Sequence, residues 1–229
     1  MTHTVNQLER FKTPLEAARF NMIEQQIRTW EVLDPEVLAL LDKVPREQFV
    51  AESQVGLAFA DVELPIGEGQ TMLSPKLEGR ILQAVAVKNT DKILVVGTGS
   101  GYLTALLAMQ AKEVHGVEIY PELSNIAQYR LQAQNIHNVT LHVDDAAAGY
   151  AASAPYDVIV FTGSLPLRPV AAEKMLNVGG RLFAVVGDYP IMQATITERV
   201  AEDAYRHEVI FETCLPPLEN APQVNQFKF

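Results

Sequence analysis

Three glycines and one acid carry the chemistry most visibly in this chain. Gly97, Gly99 and Gly101 stand in GTGSGY (97–102), and Glu118 follows 21 positions after Gly97. An apolar, β-branched run (93–96) enters the glycine turn, and an alanine- and leucine-rich stretch leaves it. A second apolar run (114–119) carries Glu118 near its end. A strand, a glycine turn and a helix form a nucleotide-type site at the carboxyl edge of a parallel sheet. The glycines let the backbone turn sharply and let a ligand approach without meeting a Cβ. The free N–H groups opening the next helix favour a negative group. A carboxylate at the end of the neighbouring strand can accept both hydroxyls of a ribose diol. The expected ligand therefore contains adenosine. The bland alternative for Glu118 is a solvated strand-end acid.

The glycine spacing narrows the ligand. It is Gly-x-Gly-x-Gly, and a dinucleotide fingerprint would need glycine at position 102, which is Tyr102. No lysine follows the turn, so it is not a P-loop. The spacing resembles the first motif of S-adenosyl-L-methionine-dependent methyltransferases. In that family the turn lies against the methionine end of the ligand.

The elements needed to hold such a site are legible around it. Strands are expected at 92–96, 113–118, 139–143, 157–161 and 180–186, and helices at 101–111, 121–135 and 167–176. Their alternation argues an α/β, doubly wound, mostly parallel Rossmann-like sheet. Two further strands are expected at 191–199 and 205–213, followed by an irregular Pro-rich stretch. Ahead of the sheet, helical periodicity runs through 13–28, and Asp34-Pro35 opens a second helix stopped by Pro45. Residues 62–75 read as an ordered loop, and a helix runs from about 75 to 87. The expected division is an N-terminal helical and loop extension (1–75) and the sheet domain (76–229).

Composition sets outer bounds. The 229 residues carry a net charge of −10 and no dense Lys/Arg block. That argues against nucleic acid as the main partner, because phosphate binding rests on clustered cations. The start is polar and lacks the apolar core of a signal peptide, and no apolar run approaches the ~18 residues of a membrane span. One cysteine, Cys214, cannot form an internal disulfide, so a cytoplasmic setting is expected. Cys214 is expected to pack as a small apolar group, and Trp30 to pack at the junction of the two N-terminal helices. His115, His137 and His142 show no metal-ligand spacing, and no metal is expected.

The first third sharpens the resemblance. Met22, QQIR (25–28), Asp34, VPR (44–46), Phe49-Val50 and LPIGEGQT (64–71) before Pro75 resemble the bacterial protein-L-isoaspartate O-methyltransferases. GTGSGY, Glu118, Asp145, PYD (155–157) and GGRL (179–182) extend the match to about residue 187. The resemblance implies methylation of the α-carboxylate of L-isoaspartyl residues in damaged proteins, with an isoaspartyl protein or peptide as partner. It implies that Gly97, Thr98, Gly99, Gly101, Glu118, Ile119, Asp145 and Ala146 bind the cofactor. Gly69 and Gln70 would bind substrate, with Thr71 and Ser74 as catalytic candidates that orient the acceptor. Three alternatives stay open: Asp145 as a turn cap, Gln70 as a loop bond, and Ser74 as the N-cap of the helix at Pro75. The chain departs from the family at Leu73, where the family carries a serine. A same-fold enzyme with another acceptor, or a weakly active cofactor-binding module, is the alternative.

Overall fold

The computed structural model describes residues 11–223. Helix α1 (Pro14–Asn21) starts on Thr13, whose hydroxyl accepts the Glu16 N–H at 3.1 Å. The helical run expected to residue 28 continues, but with wider π turns (Met22–Ile27) and then a 3₁₀ turn (Arg28–Trp30). Helix α2 (Pro35–Lys43) has Asp34 as its cap, accepting the Glu36 N–H at 2.8 Å. Two 3₁₀ turns follow, Arg46–Phe49 and Glu52–Leu57.

The stretch expected as a loop is a hairpin, β1 (Leu64–Gly67) and β2 (Gln70–Met72). Gly67 pairs with Gln70, leaving Glu68 and Gly69 as a two-residue turn with φ of 52° and 70°. Two successive positive φ values are what a tight hairpin turn requires. The GEGQ motif is thus turn chemistry. Helix α3 (Pro75–Val85) begins at once, with proline in its first turn.

The main sheet has seven strands: β3 (Lys92–Val96), β4 (Glu113–Glu118), β5 (Val139–Val143), β6 (Tyr156–Leu165), β7 (Leu176–Asp188), β8 (Ile191–Ala201) and β9 (Ala204–Glu212). Their order is β5-β4-β3-β6-β7-β8-β9. The first five are parallel, and β8 and β9 return antiparallel. Helices α4 (Tyr102–Ala108), α5 (Pro121–Ala133) and the four-residue α6 (Val170–Glu173) connect parallel strands. The helix expected over 167–176 is therefore a single turn. Residues 174 and 175 form a turn, and Leu176 already opens β7, where it pairs with Tyr156.

Both sheet faces are covered, and alternation along the strands sorts the side chains between them. Ile93 and Val95 enter the core shared with the N-terminal helices, while Leu94 and Val96 enter the core on the other face. Helix α4 is buried along its whole length, which is why its sequence shows no polar stripe.

One buried group joins the N-terminal segments to the sheet layer. Arg46 is fully buried and pairs with Glu78 of α3. Its other nitrogens donate to the Ala58 carbonyl at 2.8 Å and the Leu73 carbonyl at 2.6 Å, and its plane lies 4.9 Å from the Tyr102 ring centroid. Burial is the larger effect and pushes the Glu78 carboxyl up, against the opposing pull of the Arg46 guanidinium. Arginine does not give up its proton, so a Glu78 carboxylate is the form that leaves no uncompensated charge inside. Burial likewise pushes the Tyr102 phenol up.

Two expectations of packing differ. Trp30 is half exposed, and Lys76 lies over its ring at 4.3 Å. Cys214 is exposed. Both line a second cavity of about 320 Å³ beside the hairpin. His115 and His142 stack across neighbouring strands, with ring nitrogens 3.2 Å apart.

Candidate functional site

Strand order reverses between β3 and β6, and crevices at such a point lie beyond the carboxyl ends of the strands. A cavity of about 310 Å³ sits there. Its floor is the glycine turn leaving β3. Gly97 and Gly99 line it, at φ of 83° and 50°. Glu118 closes one side. It is 4 % exposed, and its two oxygens accept the Gly99 N–H at 2.8 Å and the Tyr120 N–H at 3.2 Å. A carboxylate offers about four lone pairs, so each oxygen keeps one for a ligand hydroxyl.

The three glycines do different work. A Cβ on Gly97 would stand 2.4 Å from the Thr162 hydroxyl, and one on Gly99 would stand 3.0 Å from Ile66 of the hairpin. Gly101 does not line the cavity. Its Cβ would meet the Ala127 backbone of α5 at 3.1 Å, so it lets two helices approach. Thr98 also turns away: it is buried, with its methyl packed over Gly116 of β4.

The remaining expected residues divide clearly. Ile119, Asp145 and Ala146 line the cavity, as do Gly69, Gln70 and Thr71 of the hairpin. The Asp145 carboxylate accepts the Ala147 N–H at 3.0 Å and the Asn220 amide at 2.8 Å. The Thr71 hydroxyl donates to Glu63 at 2.9 Å. Leu73 lines this cavity, whereas Ser74 lines the second one on the far side of the hairpin strand. Ser74 holds the N-cap position of α3 without a side-chain cap bond.

Other lining residues were not singled out from the sequence. Thr162 follows the core of β6, and its position at the switch point was a usable signal. Tyr120, and residues 216–219 of the Pro-rich stretch, carried none. Burial and the hydrogen bond to Glu219 push the Tyr120 phenol up.

The cavity's charge has one sign. Glu118, Asp144, Asp145 and Glu219 line it, and among the described residues no Lys, Arg or His does. A pyrophosphate would meet uncompensated repulsion there. A neutral adenosine joined to a cationic sulfonium, with an ammonium and a carboxylate that offset each other, carries a net positive charge and meets complementary charge.

The family model described as protein-L-isoaspartate(D-aspartate) O-methyltransferase matches residues 17–217. The chain belongs to that family. A protein-L-isoaspartate O-methyltransferase of Protochlamydia amoebophila is 40 % identical over 200 residues, covering 86 % of this chain and 94 % of that one. One of a Picosynechococcus species is 41 % identical over 174 residues, covering 76 % and 78 %. Among solved structures, the fold is similar to a Plasmodium falciparum family member in complex with S-adenosyl-L-homocysteine. The TM-score is 0.76 at 17 % identity, over 91 % of this chain and 99 % of that one. The chain is thus an S-adenosyl-L-methionine-dependent methyltransferase of Rossmann-like fold. Among the described residues, no helix is long and apolar enough to cross a membrane.

Proposed function

We propose that the cavity holds S-adenosyl-L-methionine and that this enzyme methylates the α-carboxylate of L-isoaspartyl residues in polypeptides. One observation carries the reading. The hairpin residues Gly69, Gln70 and Thr71 border the same cavity as the glycine turn and Glu118. An acceptor lying against the hairpin would therefore meet the cofactor's reactive end. When bound, the cofactor supplies a methyl group already activated on a sulfonium.

What the chain adds is position and dryness. Gly97 and Gly99 bring backbone against the methionine end. Glu118 holds the ribose with the lone pairs its two backbone partners leave. Asp145, fixed by Ala147 and Asn220, faces the adenine end. Thr71 and the hairpin backbone orient the acceptor. A carboxylate acceptor is already ionised near neutral pH, so no general base is required. Among the described residues no Lys or His lines the cavity, and this chemistry needs none as a base. As the family resemblance implies, the neighbouring backbone nitrogen then attacks the ester carbonyl, and methanol leaves with the amide proton to give a succinimide without further help from the protein. Ser74 takes no part in this reading, because it lines the other cavity.

Leu73 favours a second reading, a same-fold methyltransferase with another acceptor. Its side chain stands in the cavity wall where the family's hydroxyl is expected. Methyl incorporation into an isoaspartyl peptide, against the matched aspartyl peptide, separates the two. Selective labelling of the isoaspartyl peptide supports the first. Cofactor binding without labelling of either peptide supports the second.

A further inference from the structure

The match to the family model stops at residue 217, but the cavity wall continues through Leu218 and Glu219. We propose that residues 215–221 form a strap along the cofactor, from the glycine turn at Gly97 to Asp145, with Glu219 as a positioning residue that latches it. The inference rests on the reading that this cavity holds S-adenosyl-L-methionine.

The strap is anchored on both sides of Glu219. Ser164 of β6 is 1 % exposed and makes three hydrogen bonds to it. Its N–H donates to the Pro216 carbonyl at 2.9 Å, its hydroxyl to the Leu215 carbonyl at 2.9 Å, and its carbonyl accepts the Leu218 N–H at 3.0 Å. Leu218 then lies over the ends of two strands. A Cβ on Gly163 would come within 2.9 Å of Leu218, and one on Gly97 within 3.6 Å. Small residues beneath Leu218 are what allow the chain to run so close to the sheet edge. Beyond the cavity, Ala221 is buried in the core that contains Tyr156 and Phe161.

Between these anchors, Glu219 and Asn220 are exposed and turn toward the cavity rim. Asn220 takes a left-handed φ of 56°, and its amide donates to Asp145 at 2.8 Å. Glu219 accepts from the Tyr120 hydroxyl at 3.1 Å and from the Gln70 amide at 3.5 Å. Three separate segments meet at one carboxylate: the hairpin turn, the residues after β4, and the strap. Tyr120 follows the ribose acid Glu118 by two positions, and Gln70 is the first residue of β2. Hydrogen bonds to an ionised acceptor are stronger than neutral ones, so a carboxylate suits a latch holding two neutral donors. An exposed carboxylate also serves at little desolvation cost. Glu219 touches no reacting atom. It sets how long the rim stays closed, and hence how tightly and how slowly the cofactor exchanges.

The test measures S-adenosyl-L-homocysteine binding by calorimetry and its release by stopped flow, on the full chain. Wild type is expected to bind. Glu219→Ala is expected to weaken binding about tenfold through faster release, the loss of two hydrogen bonds each in the lower half of the net range. The change falls on KM for S-adenosyl-L-methionine and not on kcat. Glu219→Gln keeps a carbonyl acceptor and falls between the two. Tyr120→Phe removes one of the two bonds to Glu219 and weakens binding less, and the double variant Glu219→Ala/Tyr120→Phe is no weaker than Glu219→Ala alone, since the Tyr120 bond is already lost there. Wild-type affinity and release rate in Glu219→Ala, or additive losses in the double variant, overturn the strap. A wild-type protein that binds no S-adenosyl-L-homocysteine overturns the cofactor reading, and the strap with it.

Discussion

Glu118 combines two tasks in one carboxylate. Its backbone partners, the N–H groups of Gly99 and Tyr120, are part of the cavity itself. Removing the carboxylate therefore takes away the proposed ribose acceptors and also releases the turn they sit beside. Glu118→Ala is expected to cost about 1.5–3 kcal/mol of cofactor affinity, the range for hydrogen bonds to a charged group. Calorimetry with S-adenosyl-L-homocysteine decides it, and unchanged affinity in a folded variant would sink the ribose assignment. Leu73 poses the opposite question, of a group the site lacks. Its isobutyl side chain lines the cavity and can donate no hydrogen bond to an acceptor carboxylate. Wild-type isoaspartyl methylation is expected to be weak, and Leu73→Ser to raise it severalfold by restoring a charge-assisted bond. Ser74→Ala should leave the rate unchanged, because that side chain faces the second cavity. Robust wild-type turnover would show that the hydroxyl is dispensable.

At the scale of elements, the glycine turn joins three different requirements that look alike in one dimension. Gly99 confronts the hairpin across the cavity, whereas Gly101 confronts α5. Two identical substitutions should therefore fail differently. Gly99→Val puts a branched side chain against Ile66, inside the space between turn and hairpin. It is expected to abolish S-adenosyl-L-homocysteine binding while the far-ultraviolet spectrum is retained. Gly101→Val drives a side chain into the Ala127 backbone at a φ of 87°. Overpacking costs typically 1–3 kcal/mol before the backbone strain is added. A lowered urea midpoint is expected, larger than for Gly99→Val. Equal midpoints would show that the α4–α5 approach does not need a bare Cα.

For the whole molecule, the Arg46–Glu78 pair decides whether the hairpin and N-terminal helices stay registered on the sheet. Arg46 binds Ala58, Leu73 and Glu78 at once, so it fixes the strand end that carries Leu73 into the cavity. Glu78→Ala leaves a buried guanidinium without its counter-charge and is expected to cost about 3–5 kcal/mol of stability. Arg46→Met combined with Glu78→Leu replaces the pair with apolar volume. That double variant is expected to be more stable than Glu78→Ala alone, yet to bind S-adenosyl-L-homocysteine less well because the Leu73 carbonyl loses its donor. Urea unfolding and calorimetry on the same samples separate the two effects. A double variant as unstable as the single one would mean that the pair contributes more than charge balance.

The sequence by itself determined the cofactor half. Strand β3, the glycine turn, α4 and Glu118 lie within 27 successive positions, so local periodicity and spacing carry their geometry. The parallel sheet was legible for the same reason, because each strand alternates with its own crossover. Tertiary structure decided the rest. Leu73 and Ser74 are neighbours in sequence but face different cavities, since successive side chains of an extended backbone point opposite ways. The family resemblance could align both to one site without telling them apart. Thr98 and Gly101 belong to the same motif as Gly97 and Gly99, yet they face β4 and α5. Which neighbour a turn residue meets depends on elements formed elsewhere in the chain. The strap shows the widest gap: 149 positions separate Gln70 from Glu219 and 99 separate Tyr120 from Glu219. No local pattern marks an irregular Pro-rich stretch as a cavity wall, because its position is set by β6, β9 and the glycines beneath it.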